Sequence, residues 1–145
     1  MKKYQITIFI FILFLFTFIS ACKKKVEPTT TEKISRTWRV SRATFNGLND
    51  NVSLYSTFRL RLTAEGNYTV IVGNAPAKPN RTNANLGNWV IEGNDTQIVM
   101  DKGTPNEATI FLVGVPTEQN LNIRFRQDRL ANKTEPEYTF DLIPE

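Results

Sequence analysis

The chain of 145 residues contains no histidine and a single cysteine, Cys22. Without histidine, neither a Ser-His-Asp nor a Cys-His nucleophile can be assembled, and a zinc site built on histidine and cysteine is excluded. One thiol cannot close a disulfide within the chain, so the folded domain must rest on its hydrophobic core. Pairs of Asp and Glu remain for acid–base chemistry. An enzyme is therefore not the expected class, and no cofactor or metal is expected. A basic surface is missing as well. Residues 1–33 hold six of the 18 Lys and Arg and two of the 14 Asp and Glu, leaving twelve of each in 34–145. The net charge of +4 thus belongs to the N-terminal part, and a neutral domain lacks the basic face that nucleic acid requires. No apolar run reaches the roughly 20 residues of a comfortable transmembrane helix.

What is present begins with a secretory pattern. Lys2 and Lys3 precede an uncharged apolar run over 6–19, and the small residues Ser20 and Ala21 follow. Positive charge, apolar core and small-residue cleavage site in that order mark a signal segment. Its ending, Ile19-Ser20-Ala21-Cys22, resembles the lipobox of bacterial lipoproteins: an aliphatic residue, two small residues, then cysteine. The resemblance implies a diacylglyceryl group on Cys22, cleavage before it, and acylation of the new amino terminus. An ordinary signal peptide or an uncleaved anchor, with Cys22 incidental, is the alternative. Each buried acyl methylene contributes about 0.8 kcal/mol, so several chains on one cysteine hold firmly. The expected organisation is a signal peptide over 1–21, a lipidated flexible tether over 22–33 and one domain over 34–145. The expected place is the bacterial cell envelope, at the outer membrane, with the membrane itself as partner through Cys22. Lysines 23–25 would lie beside lipid headgroups, where a basic cluster favours anionic surfaces.

From Ile34 onward, short period-2 segments alternate with turn residues, and no stretch shows a 3.6-residue period. Eight strands are expected, at about 36–46, 56–63, 67–73, 86–92, 96–102, 107–115, 120–127 and 137–143. In the first, Trp38 and Val40 share a face but Ala43 and Phe45 carry the apolar phase afterwards, so a bulge is expected near Ser41 and Arg42. Glu92-Gly93-Asn94-Asp95 is a strong hairpin signal. Residues 74–85 form a long polar loop. Eight strands with short sequential connections predict an all-β fold, an antiparallel up-and-down barrel that closes its own edges. A two-sheet sandwich is the alternative.

Three motifs in this order resemble the lipocalin-like domains of small bacterial lipoproteins. They are Ile34-Ser35-Arg36-Thr37-Trp38-Arg39-Val40, then 58–70 with Phe58 and Gly66-Asn67-Tyr68, then Gly87-Asn88-Trp89. The likeness covers about 34–145 and implies a lipocalin-like barrel associated with small apolar ligands. Such domains carry glycine two residues before the first tryptophan, where this chain has Arg36. They also pack a late arginine over that tryptophan. Arg124 and Arg126 are the candidates here, although their parity points them outward.

Whether the barrel holds a ligand turns on the volume its inward side chains consume. The inward positions carry bulky residues, with no glycine, alanine or serine among them, and an eight-stranded barrel is just wide enough for side chains to fill. If a cavity exists, Trp38 is expected at its floor, with Trp89, Tyr68 and Tyr138 at its rim, since buried Trp and Tyr need partners for their polar tips. The leading expectation is a membrane-anchored binding module for a small apolar molecule, and the alternative is a filled barrel acting through its exterior and the 74–85 loop, as an inhibitor or a protein that binds an envelope partner. The 107–115 strand is apolar on both faces: Phe111, Val113 and Val115 oppose Ile110 and Leu112. A covering loop or the N-terminal segment is expected over its outer side, and otherwise a partner or dimer patch.

Overall fold

The computed structural model describes residues 26–127 and 135–145. The expected signal segment, Cys22 and lysines 23–25 lie outside the described residues. A short helix, α1 (Thr30–Ile34), precedes nine strands. These are β1 (Thr37–Phe45), β2 (Leu48–Asn49), β3 (Arg59–Leu62), β4 (Asn67–Ile71), β5 (Leu86–Glu92), β6 (Gln97–Met100), β7 (Ala108–Leu112), β8 (Leu121–Arg126) and β9 (Glu137–Pro144). Sequential strands pair antiparallel from β3 to β9, and β1 joins both β3 and β9. The result is a closed eight-stranded barrel of the lipocalin-like kind, with the two-residue β2 added beside β1. The sandwich alternative is set aside, because no sheet edge of the eight is left open.

Closure rests on β1. Seven of its residues pair with β9, from Trp38 opposite Pro144 to Phe45 opposite Tyr138. The register slips between Val40 and Arg42, the expected bulge. One extra residue, Ser41, inverts the parity, so Trp38 and Val40 face inward before it and Ala43 after it. Ser41 uses its hydroxyl to hold the Asp141 carbonyl at 2.8 Å. The turn after β1 is a signal the strand pattern alone passes over. Asn46 and Gly47 both have positive φ, 49° and 81°, which is the backbone of a type I′ hairpin and brings β2 back onto β1.

The two ends of the barrel are plugged differently. At the lower end, where Trp38 meets Leu60 and Pro144, α1 lies under the strands. Residues 30–33, expected within the flexible tether, are helical instead. Thr29 caps the helix by accepting from the Glu32 amide while the Glu32 carboxylate takes the Thr29 amide. This capping box supplies donors to an otherwise unpaired first turn, and it is readable in Thr29-Thr30-Thr31-Glu32. Thr30 also holds Asp95 in the β5–β6 turn at 2.9 Å, and Ile34 is fully buried. At the upper end, a 3-10 turn (Val52–Tyr55) delivers Tyr55 into the core, and the 74–85 loop delivers Ala77 and Asn80. Each large apolar side chain so buried contributes about 1.5–3 kcal/mol.

Candidate functional site

The four residues expected to frame a ligand cavity are placed as follows. Trp38, on β1, is fully buried, and its indole N–H donates to the Ile34 carbonyl at 2.8 Å. The cation over its ring is Arg36, 5.7 Å from the centroid, at the position where the domains it resembles carry glycine. Arg124 and Arg126, the late arginines considered for that role, stand on the outer wall as their parity indicates, Arg124 over Phe111 and Arg126 beside Glu137. Trp89 donates to the Thr63 carbonyl at 3.1 Å. Tyr68 donates to Asp101 at 2.6 Å, and its hydroxyl lies 3.5 Å from the buried Asn80 amide. Tyr138 stacks on Phe125, with centroids 5.7 Å apart and planes 19° apart. The polar tips of Trp38, Trp89 and Tyr68 therefore find their partners inside the protein.

Inside the barrel, side chains meet one another. Phe140 is the hub of an aromatic cluster, with Tyr55, Phe125 and Phe58 at 4.9, 5.1 and 5.4 Å in edge-to-face arrangements. Trp38, Phe58, Leu60, Val70, Ile98, Met100, Ile110, Leu121, Ile123, Phe140 and Leu142 all have zero exposed surface, so they border no water-sized void. Val72, Ile91 and Leu112, on the expected inward faces, are partly buried and pack against this core. Gly87 shows how tightly the wall and core meet. A Cβ there would stand 2.1 Å from Asp101 and 2.7 Å from the Tyr68 ring, so this glycine is where the ring crosses the β5 backbone.

Tyr55 and Tyr68 share a chemistry worth a test. Burial, then the hydrogen bonds to Asp50 and Asp101 respectively, raise both phenols above their ordinary value of 10.0. The folded protein keeps them neutral where an unfolded chain ionises them. Stability is therefore intact below pH 10 and falls as pH rises beyond it, because there the unfolded state binds fewer protons. Urea midpoints measured from pH 8 to 12 are expected to decline above about pH 10. The Tyr55→Phe and Tyr68→Phe pair should flatten that decline.

The outer wall is less closed than the core. The β7–β8 ladder consists of Phe111 with Arg124 and Leu112 with Ile123, although β7 continues up to Ala108 and β8 to Arg126, each paired on its other side. Where the ladder stops, a cleft of about 730 Å³ opens. Thr109, Phe111, Arg124 and Arg126 flank it, Phe125 and Ala108 lie at its base, and Arg81 reaches it from the 74–85 loop. The charges are mixed: Arg126 pairs with Glu137, and Arg81 donates to the Glu107 carbonyl. Below the cleft, Phe111 on the outer side of β7 stays partly exposed, and Val113 and Val115, expected within a 107–115 strand, lie beyond the strand's end at Leu112. Phe111, Val113 and Val115 are 41%, 44% and 85% exposed. The four arginines at 59, 61, 124 and 126 do not form one stripe, since β1 and β9 separate β3 from β8.

The sequence matches no protein-family model and no curated protein. The residues that plug the barrel, Ile34, Tyr55, Ala77 and Asn80, fall outside any period-2 segment, which is why strand pattern alone does not find them. The cleft has no sequence signal, because it arises where two strands of good pattern stop pairing.

Proposed function

We infer that this protein is a lipid-anchored component of the bacterial envelope whose barrel is an interaction module, working through its outer wall on a polypeptide partner. The observation that carries the reading is the contrast between a core of fully buried side chains and the 730 Å³ cleft beside Phe111, Arg124 and Arg126. Mixed charge around an aromatic base suits a protein surface, where Arg and aromatic residues dominate binding energy. The lumen reading, a small apolar ligand held among Trp38, Tyr68, Trp89 and Tyr138, would require these side chains to repack. The lipobox resemblance supports the anchor, and Cys22→Ala is expected to release the protein from membranes. Retention of that variant after a carbonate wash would sink the anchoring part. The surface part is tested in cells by a photo-crosslinking residue at Thr109, in the cleft, against one at Thr69 on the opposite wall. A discrete adduct with a polypeptide from Thr109 alone is expected. No adduct from Thr109, together with saturable quenching of the two tryptophans by a fatty acid, retinoid or haem, would return the function to the lumen.

A further inference from the structure

The outer face between β5 and β8 carries a charge pattern that its own copy would complement. Glu92, Gln97, Phe111 and Arg124 are successive Cα partners across these four strands. All four lie outward, alternating with the buried Ile98, Ile110 and Ile123. With neighbouring strands about 4.8 Å apart, the row spans about 14 Å, acidic at one end and basic at the other, with an aromatic ring beside its midpoint. Apolar surface flanks the row: Phe111 beside its midpoint is 41% exposed, Val113 just past β7 is 44% exposed and Val90, on β5 at the acidic end, is 41% exposed, while Val99 on β6 is buried.

The two charged ends are incompletely used. Arg124 rests over the Phe111 ring at 5.7 Å and has no carboxylate partner among the described residues. Glu92 binds Lys102 through Oε1, which leaves Oε2 for a second cation. A strong carboxylate site accepts two donors, and guanidinium is suited to a shared carboxylate.

We propose that this face pairs with a second copy of the chain about a two-fold axis lying in the contact plane, parallel to the strands, between β6 and β7. That operation sets Glu92 opposite the partner's Arg124, Arg124 opposite the partner's Glu92, and each Phe111 opposite the partner's Gln97, with the two rings on either side of the axis. It is an isologous contact, in which one patch meets itself. The barrel surface is convex, so two copies diverge away from the axis. The rim positions carry the long charged side chains that can bridge the widening gap, and Gln97 and Phe111 lie where the surfaces are nearest. Lys102, Glu92 and the partner's Arg124 then form a three-membered ionic chain at each rim. The inference rests on the proposed function's premise that the outer wall is the working surface, and it names a second copy as the occupant of the part of that wall that Phe111 and Arg124 share with the cleft.

Sedimentation equilibrium of the full-length chain in density-matched detergent tests it. The wild-type chain is expected to be dimeric. Arg124→Glu and Glu92→Arg each place like charges opposite one another twice, and should weaken the dimer at least about tenfold. The double variant exchanges the two ends and should restore it. Both positions are at the surface, so unchanged circular dichroism and melting curves are expected and separate lost pairing from lost folding. A wild-type monomer at the highest loading, or a double variant as weak as the singles, overturns the proposal. A heterologous Thr109 adduct obtained from a monomeric protein would overturn the dimer while leaving the interaction module standing.

Discussion

Phe140→Ala is expected to destabilise the domain by about 4–5 kcal/mol, at the upper end of what truncation of a buried phenylalanine costs. Three terms add. The ring has no exposed surface, so its full apolar area returns to a void that strands on every side prevent from collapsing. It is also the common partner of Tyr55, Phe58 and Phe125 in edge-to-face pairs, each worth something beyond its area. Finally, Phe140 lies on β9 opposite Ala43 of β1 and Ile123 of β8, so the void opens against the seam that closes the barrel. For a domain of this size the melting temperature should fall on the order of 15 °C. A shift of only a few degrees would mean that the aromatic cluster repacks freely, and would argue for a softer lumen able to admit a ligand.

Trp38→Ala is expected to cost about 3–5 kcal/mol by the same cavity argument at the lower end. Trp38→Phe separates the components. It keeps most of the packing but removes the donor to the Ile34 carbonyl, so a cost of about 1–2 kcal/mol is expected. That bond ties α1 to the barrel, and the Arg36 cation rests on the same ring. Hydrogen exchange in α1 should therefore quicken in Trp38→Phe while exchange in the β8–β9 ladder does not. Equal acceleration in both would mean that α1 is no separate plug but part of one cooperative unit. If Trp38→Ala left stability unchanged and abolished uptake of an apolar dye, the tryptophan would instead be the floor of a binding cavity.

Much of this architecture is legible in residues taken singly. Phe58, Leu60 and Leu62 alternate with arginines at 59 and 61, and every one of these three apolar side chains is buried. The phase slip after Val40 announces a bulge that the β1–β9 register contains. The limit of such reading is the connecting segments. Tyr55 and Asn80 are buried although neither belongs to a strand, because what buries them is the open end of a barrel assembled from strands far away in sequence. Arg36 illustrates the same limit on the electrostatic side. Parity rightly turned Arg124 and Arg126 outward, but only the path of the chain from α1 into β1 brings Arg36 over Trp38.

By itself, then, the sequence determined the fold class, the strand phases, the neutral charge of the domain and the exclusion of histidine and disulfide chemistry, because each follows from local periodicity or from composition. The tertiary structure decided three further matters: that the barrel is plugged at both ends, that β7 and β8 part above Phe111, and that Glu92 and Arg124 lie at opposite ends of one outward row. These depend on which strands become neighbours and where their hydrogen bonds end, and no single strand carries that information.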